Sequence, residues 1–232
     1  MRSSDVVAQL DRLLPRKVVK QNRQRTVSRI EAFGGMGECY VKSCRVDGFR
    51  AWFRELFRGP KARLEYRHAQ RLASLGLPPS SQSPGRARVD FWPGPSQIVT
   101  RGVPNAIPLD EYLERRASLT LNERRQISLS LAEFFATLYR HGVVHPDPHP
   151  GNLLVAFDAQ GRPQLTLLDV HVVQFFATLT KEQIVSNLVL INRWSGHADD
   201  ASGSLAVSAE LVRLLPFADR ECGSELERLT LN

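Results

Sequence analysis

The sequence predicts an α+β fold: a small antiparallel sheet with a helix in the first third to half of the chain, and mainly helical structure beyond. Three observations carry this. β-compatible residues flank a glycine turn early in the chain, a long amphipathic helical pattern occupies Glu123–Tyr139, and a short hairpin follows it. With 232 residues, 42% of them hydrophobic, there is enough apolar material to bury a core, as one large domain or two small lobes.

Val27, Ile30 and Phe33, followed by Cys39, Val41 and Cys44, mark two strands within residues 26–46, and Gly34-Gly35-Met36-Gly37 breaks them into a hairpin. Helical character runs from Phe49 to Phe57. Gly59-Pro60 then starts a second helix reaching about Leu75, because proline's fixed φ suits a first helical turn, where its missing N–H is no loss. The stretch LGLPPSSQSPG is a loop, and strands near Ala87–Trp92 and Gln97–Val103, separated by PGPS, complete the sheet. In the second half, Ile127, Leu131, Phe134, Phe135 and Leu138 recur at helical spacing and the helix delivers the chain to His141. Two apolar strands, Leu153–Phe157 and Gln164–Leu168, flank the turn DAQGRP, and helices are expected near Ile184–Trp194 and Leu205–Phe217.

The composition excludes several classes. No apolar run approaches the roughly 20 residues needed to cross a bilayer, and the N-terminus lacks a secretory signal, so a cytoplasmic location is expected. Three cysteines, Cys39, Cys44 and Cys222, form no CxxC pair and suit a reducing compartment, which removes zinc-finger and disulfide-scaffold readings. Charge is uneven: residues 1–70 hold 16 Lys/Arg against 7 Asp/Glu, whereas residues 71–232 hold 15 against 17. A basic first third is either a solvated face or a surface that meets anions such as nucleotide phosphates or lipid head groups. Nucleic acid is not expected, because no helix-turn-helix, zinc-knuckle or aromatic single-strand signature accompanies the charge.

The chemistry concentrates in HGVVHPDPHPGNLLV, His141 to Val155. Asn152 precedes the first strand of the hairpin and Asp169 follows the second, and their midpoint falls at Gln160–Gly161, inside the turn. An antiparallel hairpin therefore returns Asp169 to the side of Asn152. Opposed strand residues lie about 4.5–5.5 Å apart at Cα, so the two oxygen-bearing side chains can share a hard cation such as Mg²⁺. Asp147 lies nearby and is available as a base.

This order, H-x-D-x-x-x-x-N as His145, Asp147 and Asn152 with an aspartate following in LLDVH, resembles the lower half of a protein-kinase-like site. Within that fold, HPDPHPGNLLV and LLDVH, with YVK and LEYRHAQRLASLGLP, are most similar to the lipopolysaccharide core heptose and Kdo kinases, over roughly residues 25–195. Aminoglycoside and choline kinases and the atypical kinases of ubiquinone biosynthesis belong to the same broad fold. The resemblance implies two lobes, an N-lobe over residues 1–103 and a C-lobe over residues 104–232. It implies transfer of the γ-phosphoryl of ATP to a hydroxyl, with Asp147 as catalytic base and Asn152 and Asp169 holding Mg²⁺. Lys42, on the strand after the glycine turn, and Glu65, on the following helix, are the expected phosphate clamp. Thr100, Arg101 and Val103, in QIVTRGV, form the expected hinge, whose backbone groups bind adenine.

Several departures narrow the expectation. The glycines of GGMG lie only a few residues before Lys42 on the same strand, so they read as a hairpin turn; the phosphate-covering turn is expected near Lys20–Arg25, which has no glycine. No GxxxxGK[ST] occurs, which excludes a P-loop enzyme. Pro146 replaces the arginine that senses a phosphorylated activation loop, and few residues separate His171 from the next helix near Thr180, so protein substrates are disfavoured. The expected acceptor is a sugar or lipid-linked sugar, with peripheral contact to an anionic inner membrane face. The alternatives are a small-molecule kinase of aminoglycoside or choline type, or a ubiquinone-biosynthesis-type atypical kinase. From other classes, a metallohydrolase using His141, His145, Asp147, His149 and His171, or an inactive kinase-like binding module, would also fit the loop.

Overall fold

The computed structural model describes residues 17–23, 25–31, 37–77, 84–89, 94–115 and 118–195. Phe33, the glycine turn up to Met36, Trp92, and the helix expected at Leu205–Phe217 lie outside the described residues. Two compact units emerge, Met1–Ser74 with Pro79–Val103, and Leu75–Pro78 with Pro104–Asn232.

The first unit is an antiparallel five-stranded sheet of order β1-β2-β3-β5-β4. Its strands are β1 (Lys17–Gln21), β2 (Arg25–Ile30), β3 (Cys39–Cys44), β4 (Pro84–Val89) and β5 (Ser96–Arg101). Helices α1 (Phe49–Arg58) and α2 (Lys61–Ser74) lie between β3 and β4 in the chain. Strand alternation separates the sheet into two faces. Val27, Lys42 and Ile98 are register partners and share one face. Ile30, Cys39, Val41 and Val99 form a buried cluster on the other. Helix α2 lies against β3, β4 and β5 and buries Ala62, Glu65, Ala69 and Leu72. Burial pushes the Cys39 and Cys44 thiols up, which keeps these two free cysteines as protonated core residues.

Three strands differ from the sequence expectation. β1, KVVKQ, is exposed along its whole length, so no inside–outside alternation announces it. β4 begins at Pro84, earlier than expected and inside the proline-rich loop, because it pairs with β5 from Pro84↔Thr100 to Val89↔Ser96. A proline is tolerated there as the first residue of an edge strand. β5 ends at Arg101, short of Val103, and the next N–H, that of Gly102, turns to the Glu38 carbonyl at 2.8 Å.

The second unit contains β6 (Ile107–Pro108), α3 (Leu109–Glu114), α4 (Leu121–Arg140), β7 (Val143–Val144), β8 (Leu153–Phe157), β9 (Pro163–Leu167), β10 (Gln174–Phe175) and α5 (Lys181–Ser195). Helix α4 starts at a capping box, in which Thr120 and Glu123 satisfy each other's backbone N–H groups. Its buried face is Ile127, Ala132, Phe135, Ala136, Leu138 and Tyr139, while Leu131 and Phe134 of the expected stripe are only half-buried. β8 and β9 form the expected hairpin, with β6 on the outer side of β8, and β7 pairs with β10. Among the described residues, no helix is long and apolar enough to cross a membrane.

Candidate active site

The corner after α4 is held from three sides. Gly142 takes a left-handed φ of 69°, and its carbonyl accepts from the Phe176 N–H at 2.8 Å. β7 then pairs with β10 and leads into His145, which is 1% exposed. Asn187 of α5 donates from Nδ2 to the His145 carbonyl at 2.8 Å and accepts from the Tyr139 hydroxyl of α4 at 2.8 Å. This buried chain pairs the Tyr139 hydroxyl, the Asn187 amide and the His145 carbonyl, and it anchors the loop backbone to two helices. The His145 ring accepts the Asp147 N–H at Nδ1, 3.2 Å away. Burial lowers its pKa from the usual histidine range, opposed by the nearby Asp147 and Asp169 carboxylates. His145 is thus a neutral acceptor that shapes the loop.

Asp147 is exposed, and the Asn152 amide donates both to its carbonyl at 3.0 Å and to its Oδ2 at 3.3 Å. With the amide nitrogen so committed, Asn152 Oδ1 is the atom left to face a cation. The hairpin register pairs Leu153 with Leu167, and the Leu168 N–H donates to the Asn152 carbonyl at 2.7 Å. Asp169 therefore sits one residue past Asn152's opposite number. Its backbone is left-handed, φ 51° and ψ 39°, at the start of a 3₁₀ turn over Val170–Val172. A non-glycine residue there costs of order 1 kcal/mol, and such conformations cluster at functional sites. The donors, an amide oxygen and carboxylates, are the hard ligands that Mg²⁺ takes.

His149 caps the 3₁₀ turn Pro150–Asn152 by accepting the Gly151 N–H at Nδ1, 2.8 Å. A Cβ at Gly151 would lie 2.8 Å from Asp110 Oδ2 and 3.0 Å from that ring nitrogen, so a side chain there would make both neighbours give way. Tyr139, Asn187, Gly142 and Gly151 were not singled out from the sequence. Asn187 offered a faint signal as a polar residue in the apolar run Ile184–Trp194, since a buried amide must find partners.

Metallohydrolase chemistry finds little support in this corner. His141 contacts the Thr137 carbonyl through Nδ1 at 2.8 Å, and His145 and His149 spend a ring nitrogen on backbone N–H groups. Among the described residues, these histidines and Asp147 do not converge as a metal-ligating group.

In the first unit, Lys42 Nζ donates to Glu65 Oε1 at 2.7 Å, with the side chains 15% and 4% exposed. Removing one partner strands the other charge in a desolvated setting, which costs far more than the pair's net contribution. We therefore expect Lys42→Met and Glu65→Gln each to be destabilising and their effects to be non-additive by about 1 kcal/mol or more. A double-mutant cycle by denaturant unfolding checks this, and full additivity would mean the contact carries no energy. Thr100 and Arg101 are the last residues of β5, with the Thr100 hydroxyl 3.5 Å from the Tyr40 carbonyl, and Val103 closes the unit.

Residues 105–194 match the ABC1 atypical kinase-like domain. A stretch of 104 residues is 30% identical to an uncharacterised protein of Synechocystis sp., covering 43% of this chain and 18% of that protein. A stretch of 36 residues is 53% identical to the probable serine/threonine-protein kinase abkB of Dictyostelium discoideum, covering 16% of this chain and 5% of that protein. The matched stretches thus span less than a fifth of either curated relative. A solved structure of WaaP in complex with acyl carrier protein superimposes over 98% of this chain and 90% of that one, with a TM-score of 0.65 at 19% identity. The chain has a two-lobed α+β kinase-like fold, and residues 105–194 carry the match to the ABC1 atypical kinase-like domain.

Proposed function

We propose that the protein is an ATP-dependent kinase that transfers the γ-phosphoryl group to a hydroxyl of a sugar, of the lipopolysaccharide-core type. The observation that carries the proposal is the hydrogen-bonded Asp147–Asn152 pair, tied through Leu168 to the backbone that bears Asp169. Exposed Asp147 orients the acceptor hydroxyl and takes its proton as it attacks phosphorus, a contribution of about 10²–10⁴-fold. Asn152 holds Asp147 in place through its amide nitrogen and offers Oδ1 to the metal beside the Asp169 carboxylate. Mg²⁺, when bound, neutralises charge on the phosphate oxygens of ATP. Lys42, oriented by Glu65, binds the phosphates, and backbone groups at Thr100, Arg101 and Val103 receive adenine. The domains would then divide the work at residue 103, the N-lobe taking nucleotide and the C-lobe metal and acceptor.

The sugar assignment rests on the motif resemblance, supported by the shared fold with WaaP. Only ten residues separate Val170 from the start of α5 at Lys181, and β10 within them is spent on pairing with β7. That leaves little chain for docking an extended peptide and favours a small or displayed hydroxyl. Transfer from labelled ATP to purified core oligosaccharide, measured beside choline and an aminoglycoside, tests the reading. Robust transfer to core sugar with Mg²⁺ and none with Zn²⁺ is expected; transfer to a small amine alone would place the protein among the small-molecule kinases.

A further inference from the structure

Helix α1 is inside out. Its ten residues, FRAWFRELFR, bury a charged side chain, Glu55, at 8% exposure, while Phe49, Trp52, Phe53 and Phe57 stand 75%, 39%, 50% and 75% exposed. Eight large apolar side chains are exposed among the described residues, and half of them belong to this one helix. They are not scattered. At about 100° per residue the four aromatics fall within about 140° of arc, and their rings touch in sequence. Phe49 stacks on Trp52 at 6.0 Å and on Phe53 at 6.1 Å, and Phe53 meets Phe57 edge-on at 5.0 Å. Such a patch is unusual on a protein surface and marks an interaction site.

Charge decides what the patch fits. By helical spacing Arg50 and Arg58 border the aromatic arc on one side. The Arg50 and Arg58 side chains are exposed. No acidic residue lies in the first turn, and Glu55 is turned inward. The helix is also clipped at both ends by glycines of positive φ, Gly48 at 84° and Gly59 at 78°, with the Gly59 N–H closing on the Glu55 carbonyl at 2.8 Å. It is therefore a short, defined rod, about 15 Å long, lying on the surface of a segment rich in Lys and Arg. An aromatic arc bordered by arginines is the amphipathic pattern of a helix that lies in the plane of a bilayer, its rings at the acyl boundary and its guanidinium groups among head-group phosphates.

We propose that α1 is an in-plane anchor that docks the protein on an anionic lipid surface. The rings supply the insertion and the arginines select anionic head groups. Glu55 and the half-buried Ala51 form the side that stays with the protein. This inference stands apart from the kinase reading and does not depend on the acceptor.

Sedimentation of the full chain with vesicles of phosphatidylcholine, with and without phosphatidylglycerol, tests it. The wild-type chain should bind the anionic vesicles, and binding should weaken with salt, since surface attraction is screened over about 8 Å at physiological ionic strength. Replacing Phe49, Phe53 and Phe57 together by serine should lower the partition by about 100-fold. Replacing Arg50 and Arg58 by glutamine should lower it about fivefold for each charge and reduce the preference for anionic lipid. All these side chains are exposed, so the unfolding midpoint should hold and separate lost docking from lost fold. Absence of binding by the wild-type chain would overturn the proposal. So would binding that survives the serine substitutions, or serine substitutions that convert a dimer to a monomer without altering vesicle binding, which would make the arc a contact between two copies.

Discussion

Asp169→Asn is expected to reduce phosphoryl transfer by about 10³-fold or more while leaving the fold intact, because in the proposed mechanism it removes the carboxylate charge that would face metal and phosphate. The backbone makes this a clean test. Asp169 occupies a left-handed conformation, φ 51° and ψ 39°, which asparagine adopts as readily as aspartate. Its side chain makes no capping hydrogen bond to the following turn, so the isosteric amide breaks no cap. Turnover with ATP and acceptor should be measured beside a denaturant unfolding curve. A silent enzyme with an unchanged curve is the expected pair of results. Wild-type turnover would remove Asp169 from the metal site.

Gly142→Ala should be the most damaging conservative change in the second unit, costing about 4 kcal/mol or more. Two penalties coincide there. The residue has φ of 69°, which disfavours any Cβ, and an added Cβ would lie 2.1 Å from the Phe176 carbonyl oxygen. That neighbour is backbone and cannot rotate away, so the Phe176–Gly142 hydrogen bond and the β7–β10 pairing must shift. His145 follows β7 directly, so activity should fall with stability. Gly161→Ala is the control: φ is 74°, but nothing lies within 4 Å of its Cβ position. It should cost only about 1 kcal/mol, the left-handed penalty alone. Equal unfolding midpoints for the two variants would show that the Phe176 contact is not rigid.

The elements that local pattern encodes were legible in the chain. The hairpin Leu153–Phe157 with Pro163–Leu167 announces itself through short apolar strands and a Gly/Pro turn, and α4 through its apolar period. The spacing of Asp147, Asn152 and Asp169 could be read because helix, turn and hairpin geometry are local, and the contacts of Asn152 with Asp147 and of Lys42 with Glu65 are present in the structure. Their chemistry remains what the activity measurements above address. Boundaries were less legible where a partner strand sets them, as at β4, which pairing with β5 draws back to Pro84.

By itself, then, the sequence determined the order of the longer helices and of strands β2–β5, β8 and β9, the kinase-like spacing of polar residues and the basic bias of the first third, while β1, α3 and the two-residue strands β6, β7 and β10 left no such trace. Tertiary structure alone decided the rest. Asn187 reaches His145 across 42 positions, and Gly142 meets Phe176 through a pairing of two-residue strands, contacts too distant or too short to leave a periodic trace. The same limit applies to α1. Its aromatic spacing declares a helix with one apolar face, but periodicity is identical for a face turned inward and one turned outward. Only the packing of Glu55 against the protein shows that the rings point away from it.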